Sequence, residues 1–290
     1  MTDPYDIVWS AQREHLAAAA CTDAEWYASV ARSLCPSTDR LALDVGCGGA
    51  GMAVALAAAL PPDARVVALD GDDEILATAK DNVEAAGVPA GRVDLRQCDL
   101  HGGLDALRAS VPGRADIIWA SAVVHHVGDQ QAAIDDLARL LAPGGRLALA
   151  EGGLHSRHLP WDVGTGEPGL ELRLDAAEDR WFARMRSKLP GNVPMPYGWT
   201  EALGRAGLVD VTTWSSLLEQ PAPLAEPDRD RVIDGLRHRV DRVRETGIVP
   251  AADLATWGQL LDPADGGLSR RTDLFSLRVR SVHVGTAGGA

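Results

Sequence analysis

Between residues 40 and 151 short runs of Val, Ile, Leu and Ala alternate with helix-like stretches, and this alternation limits the fold more than any other feature of the chain. The apolar runs fall at 40–45, 65–70, 92–97, 115–121 and 145–151, and the segments 50–60, 73–87 and 130–142 between them have helical character. The runs are continuous and not alternately polar, so each strand is expected to be covered on both faces. Strands of that kind interleaved with helices predict an α/β protein with a doubly wound, mostly parallel sheet.

The flanking regions read less regularly. Residues 11–20 and 23–34 are expected as helices, with Thr22 as N-cap and Pro36 as the stop. Past Glu151 the pattern breaks, and residues 152–199 gather Trp161, Trp181, Phe182, Tyr197 and Trp199 among prolines and glycines. Leu170, Leu174, Ala177, Trp181, Met185 and Leu189 recur at helical spacing, which predicts a helix between Pro168 and Pro190. Thr200 is expected to cap a short helix ending near Gly207, followed by a strand over 208–214, helices over 228–245 and 251–261, and a closing strand over 274–284. Residues 285–290 are read as unstructured. In the helix over 228–245, Arg229, Arg231, Arg237, Arg239, Arg242 and Arg244 alternate with Asp228, Asp230, Asp234, Asp241 and Glu245, the pattern of a solvated charged face. The expected organisation is N-terminal helices over 1–39, a core over 40–151, a cap insertion over 152–197, a core continuation over 198–218, a second helical insertion over 219–269 and a last core strand over 270–284.

Charge and cysteine usage narrow the partners. Acidic residues number 41 and basic ones 28, giving a net charge of −13. Such a surface repels phosphate backbones and anionic lipid, so neither nucleic acid nor membrane is expected as a partner. Cys21, Cys35, Cys47 and Cys98 form no C-x-x-C pair, which predicts reduced thiols, no metal site and a cytoplasmic location. The opening Met-Thr-Asp-Pro-Tyr has no signal-peptide pattern, and the longest apolar run, 51–60, falls short of the ~20 residues that span a bilayer.

The run Leu41-Ala42-Leu43-Asp44-Val45-Gly46-Cys47-Gly48-Gly49-Ala50-Gly51 passes from strand to helix through glycines, a turn that offers free N–H groups to a polar ligand. Asp44 stands two residues before the first glycine, where a carboxylate would repel a pyrophosphate and suit a cationic ligand. A nicotinamide oxidoreductase is further opposed by the lack of a Tyr-x-x-x-Lys pair, since Lys80 and Lys188 are the only lysines.

Further motifs follow in order: Val67-Ala68-Leu69-Asp70, Arg96-Gln97-Cys98-Asp99-Leu100, the stretch from Ala115 through His125-His126-Val127-Gly128-Asp129, and Leu140-Leu-Ala-Pro143-Gly144-Gly145-Arg146. Together with the glycine turn they resemble the class I S-adenosylmethionine-dependent methyltransferases, in the small-molecule group related to ubiquinone/menaquinone C-methyltransferases. The likeness is dense over 40–151 and looser over 199–214 and 274–284, and Ala50 stands where the family places a third glycine. It implies a Rossmann-like seven-stranded sheet with an antiparallel last strand plus helical cap insertions, and S-adenosyl-L-methionine as cofactor. It also implies cofactor contacts by Asp44, Gly46, Cys47, Gly48, Asp70, Gly71, Asp99, Leu100 and Ala120, with Asp70 on the ribose hydroxyls and Asp99 on the adenine amine.

For the acceptor side, His125 and His126 are candidates for a general base, with a purely structural pair as the alternative. His155 and His158 read as loop residues. Tyr5 and Trp9 either cover the cofactor or pack the N-terminus, and Trp161, Tyr197 and Trp199 are candidates for an acceptor wall. Methyl transfer to O, N or C of a small organic metabolite is the expected function, with secondary metabolism as one setting. Methylation of a peptide or protein terminus and a non-catalytic binding module stay as alternatives, and a homodimer stays open. No Asn-Pro-Pro-Tyr tetrad follows the fourth strand, and Gly152-Gly153 stands where metal-assisted catechol methylation needs Asp-Asn.

Overall fold

A computed structural model describes residues 3–264 and 267–289. Helices α1 (Arg13–Thr22) and α2 (Ala24–Leu34) precede β1 (Leu41–Val45), α3 (Gly51–Ala59), β2 (Arg65–Asp70), α4 (Asp73–Ala85) and β3 (Val93–Gln97). Then come α5 (Gly103–Ser110), β4 (Ala115–Ser121), α6 (Gln130–Arg139), β5 (Leu141–Ala150), β6 (Leu154–Arg157) and α7 (Leu170–Lys188). The chain closes through α8 (Trp199–Arg205), β7 (Val209–Gln220), α9 (Glu226–Arg244), α10 (Ala251–Leu261) and β8 (Ser276–Thr286).

The strands join in the order β3-β2-β1-β4-β5-β8-β6, with β7 also paired to β8. Pairing is parallel from β3 through β5 and antiparallel between β5 and β8. The expected mostly parallel sheet with an antiparallel last strand is therefore present, but among the described residues it has eight strands, not seven. The additional one, β6, is a four-residue piece whose partners Val279 and Leu277 lie far along the chain, so no local apolar pattern announces it.

Two compact units emerge. Among the described residues, one comprises 7–152, 189–214 and 281–289; the other comprises 3–6, 153–188, 215–264 and 267–280. In the first, the parallel strands β1, β2, β4 and β5 are buried on both faces, whereas β3 at the edge is only half-buried, which corrects the expectation that every run is covered twice. Leu43, Val45, Leu69, Ile118 and Leu149 meet Ile134, Leu137 and Leu203 on one side. On the other, Trp119 packs edge-on against Trp26 at 5.8 Å, beside fully buried Met52 and Leu56. That double burial is why the runs are continuous in the sequence.

In the second unit α7 and α9 share a buried charge cluster. Arg239 reaches Glu178 at 2.7 Å, Asp175 at 2.5 Å and Glu171 at 3.4 Å, and its side chain is only 16% exposed. The solvated face expected for the helix over 228–245 is thus corrected at Arg239, because the acids it answers to come from α7 and not from its own helix. His155, Asp175 and Glu178 bring ligand atoms within 4.8 Å of one another. Arg157 and Arg239 already neutralise Asp175, however, and Arg239 neutralises Glu178. His155 belongs to β6, correcting the loop expected there; His158 follows it and is buried, and that burial lowers its pKa to about 4.

Smaller differences have local causes. Thr22 ends α1, and Asp23 precedes α2. Gly198, not Thr200, precedes α8. Helix α5, unforeseen, anchors by Leu107 alone among its buried residues, too little to show a period. Gly285 and Thr286 belong to β8, while Ala290 of the tail read as unstructured lies outside the described residues. Among the described residues no helix is long and apolar enough to cross a membrane.

Candidate functional site

Parallel strands that start at one edge also end at one edge, so β1 to β4 deliver their last residues and following loops to a common rim. A cleft of about 340 Å³ opens there, lined by Val45, Gly46 and Gly48 after β1, Asp70 to Asp72 after β2, Cys98 to His101 after β3, and Ser121 to Val123 with His126 and Val127 after β4. Trp9, Leu16, Ile75 and Leu107 complete the wall.

The glycine turn is shaped by its neighbours as much as by any ligand. Gly46 has φ +65°, and a Cβ there would lie 2.2 Å from Val123 Cγ2. Gly49 lies under α1, where a Cβ would come 2.6 Å from the Leu16 carbonyl. Ala50 adopts φ 61° at the head of α3 in spite of its side chain, so the departure from glycine leaves the left-handed turn in place. The Cys47 N–H donates to the Leu69 carbonyl at 2.8 Å, tying the turn to β2.

Three carboxylates at this rim have different surroundings. Asp70, at the end of β2, accepts from Gly48 N–H at 3.0 Å through Oδ2 and from Asp72 N–H at 3.2 Å through Oδ1. Burial raises its pKa against those bonds. Asp99 accepts from His101 N–H at 2.9 Å, and the His101 ring lies 2.8 Å from the same oxygen. Burial acts to raise its pKa, but the His101 bonds outweigh it and the net direction is down.

Asp44 is only 2% exposed. Its Oδ2 has no hydrogen-bond partner, and burial pushes its pKa to about 7 in spite of the Ala53 N–H. An orphaned buried carboxylate beside acid-lined space suits a cationic ligand. Among the described residues no Lys or Arg lines the cleft, so a pyrophosphate would find no permanent counter-charge from them.

Of the residues expected at the cofactor, Gly46, Gly48, Asp70, Gly71, Asp99 and Leu100 line the cleft, and Asp44, Cys47 and Ala120 stand behind the rim. Cys47 is buried and its thiol pKa is raised well above the ordinary range, first by burial and then by Asp44 and Asp70. His126 lines the cleft and packs edge-on against Trp9 at 4.8 Å; His125 does not line it. Instead His125 Nδ1 lies 2.5 Å from Oε2 of Glu151, a residue just past β5 that is 2% exposed.

The aromatic candidates separate. Trp9 alone of them is at the cleft. Tyr197 donates its hydroxyl to Gln131 at 3.1 Å, carries Arg205 over its ring at 3.9 Å and packs with Trp199 on the apolar core, which corrects the acceptor-wall expectation for both. Trp161 and Tyr5 belong to the second unit, where Trp161 is 69% exposed and Tyr5 accepts from Arg184 at 2.6 Å. Glu151, Leu16 and His101 were missed. For Glu151 a signal existed: an acid directly after a strand, on the same rim as Asp44, Asp70 and Asp99.

Residues 43–147 match the family model of a methyltransferase domain. Over 114 residues the chain is 33% identical to 27-O-demethylrifamycin SV methyltransferase of Amycolatopsis mediterranei, a match covering 39% of this chain and 38% of that one. Over 105 residues it is 35% identical to ubiquinone biosynthesis O-methyltransferase of Azotobacter vinelandii, covering 36% and 41%. The structure of an O-methyltransferase family protein from Burkholderia thailandensis shares the fold with a TM-score of 0.52 at 12% identity, over 97% of this chain and 60% of that one. Residues 43–147 are thus a class I S-adenosylmethionine-dependent methyltransferase domain, related to those of quinone methyltransferases. The chain spans 24% to 51% of the length of the curated relatives it matches.

Proposed function

We propose that the whole chain is a methyltransferase that moves the methyl group of S-adenosylmethionine to a small organic acceptor. The observation that carries this is a cleft lined by Asp70, Asp72 and Asp99, with Asp44, whose Oδ2 has no hydrogen-bond partner, behind the glycine turn and, among the described residues, no Lys or Arg on its wall. Bound there, the donor supplies a methyl on a positively charged sulfur, a good leaving group. Asp70, already aimed by Gly48 and Asp72, has lone pairs left for two ribose hydroxyls. Asp99 and the Leu100 backbone are assigned to adenine, and Asp44 with Gly46 to Gly48 to the ammonium end. Methyl transfer from such a donor neutralises charge, so much of the acceleration comes from holding the partners together in a water-poor site.

His125 and His126 are assigned to the acceptor, as proton acceptors where it carries a hydroxyl or amine. The names of the rifamycin and ubiquinone relatives support a small organic acceptor. Titration calorimetry with S-adenosylhomocysteine and with NADH tests the reading. Preference for the adenosyl ligand, and its release from S-adenosylmethionine in the presence of a metabolite extract, are expected. Tighter binding of NADH overturns it.

A further inference from the structure

We propose that His101 is a positioning residue, clamping the Asp99 carboxylate so that one of its oxygens, Oδ2, stays presented to the amine of an adenine ring. The inference rests on the methyltransferase reading, which assigns Asp99 to adenine. Both residues line the cleft, on the turn that follows β3. That turn is itself held. Gly102 N–H donates to the Asp99 carbonyl at 3.0 Å, and the fully buried Leu107 anchors α5, the helix that follows.

Among the described residues, the hydrogen bonds to the Asp99 carboxylate all end on Oδ1. His101 N–H donates to it at 2.9 Å, and Nδ1 of the His101 ring lies 2.8 Å from it. A carboxylate only accepts, so Nδ1 carries a hydrogen whether the ring is neutral or charged. Each carboxylate oxygen has roughly two lone-pair sites, and two donors use those of Oδ1, which leaves Oδ2 as the acceptor on offer to a ligand. Capping the turn needs the backbone bond alone. The ring bond adds a stop on the rotation of a carboxylate whose side chain is 66% exposed and would otherwise turn. A carboxylate fixed in this way distinguishes rings. The exocyclic amine of adenine donates to Oδ2, whereas hypoxanthine carries a carbonyl at that position and sets oxygen against oxygen.

Titration calorimetry with S-adenosylhomocysteine and with S-inosylhomocysteine, its hypoxanthine counterpart, tests this on the full chain and on the variants His101→Leu and His101→Asn. The natural chain is expected to favour the adenosyl ligand on the order of 10²-fold. In His101→Leu the carboxylate can swing, so adenosyl binding should weaken about fivefold while inosyl binding holds or strengthens, and the preference should fall about tenfold. General damage to the cleft would weaken both ligands together. His101→Asn puts an amide N–H where the ring had Nδ1–H and should return the preference to within about threefold of the natural value. Carbon-13 NMR of the Asp99 carboxyl gives a reading without any ligand. Burial acts to raise its pKa and the His101 bonds hold it down, so it should rise in His101→Leu and rise less in His101→Asn.

An unchanged preference in His101→Leu overturns the proposal, as does weakening of both ligands by one factor or an unmoved Asp99 pKa in that variant. A natural chain that binds the two ligands equally overturns it as well and leaves the methyltransferase reading standing. Failure of the natural chain to bind S-adenosylhomocysteine would instead sink that reading, and the Asp99 titration would still decide whether the clamp exists.

Discussion

Replacing Asp44 with asparagine should stabilise the ligand-free protein while weakening its hold on the donor. Burial raises the Asp44 pKa from 3.8 to about 7, a displacement of about three units and therefore, at 1.36 kcal/mol each, a cost of about 4 kcal/mol for the ionised folded form. The sign follows from proton counting. Below pH 3.8 the acid is protonated both folded and unfolded and adds no slope. Between 3.8 and about 7 the unfolded chain has lost the proton and the folded one has kept it, so stability falls as pH rises. Above about 7 the penalty is constant.

Asparagine keeps the shape, keeps an acceptor for the Ala53 N–H and removes the titration. Urea midpoints of the two proteins, followed by hydrogen exchange in β1, should draw apart by about 2–3 kcal/mol between pH 5 and pH 8 in favour of the variant. A cationic ligand reverses the preference, because it favours the carboxylate. Affinity of the natural protein for S-adenosylhomocysteine, which keeps the ammonium, should therefore decline as pH falls below about 7, with proton release on binding. The variant should bind more weakly and show neither effect. A stability gap that stays constant with pH would refute the reasoning.

Asp70→Asn turns an amide N–H₂ toward one of two backbone donors, Gly48 or Asp72, and removes charge-assisted bonds to the ribose; calorimetry should show S-adenosylhomocysteine binding weakened by about 2–3 kcal/mol. Gly46→Ala places a methyl 2.2 Å from Val123 at a left-handed φ, so a thermal melt should show about 1–3 kcal/mol of destabilisation and titration a loss of binding. Arg239→Met leaves the carboxylates of Glu171, Asp175 and Glu178 without their shared cation, and hydrogen exchange in α7 and α9 should report a loss of about 3–5 kcal/mol.

The rim of the cleft was legible because a parallel sheet turns chain order into spatial order. Asp70 and Asp99 each end or follow an apolar run, and knowing that the runs are parallel strands is enough to bring them together. The same rule placed Gly46 and Leu100. It did not tell which carboxylate faces the space and which lies behind the turn, and Asp44 proved to be the hidden one. The aromatics illustrate the opposite limit. Tyr197 and Trp199 look like pocket residues by composition, but a ring packs wherever apolar surface needs cover, and here α6 and α8 supplied it.

What the chain order alone determined is the parallel sheet, the glycine turn after its first strand and the row of acids at one edge, since these depend on local apolar runs and on residues next to them. The pairing of β6 with β8, the burial of Arg239 among acids of another helix and the contact of Glu151 with His125 were decided only in three dimensions. Each joins residues well separated in sequence, and a bond between distant partners leaves no period or spacing in the chain to read.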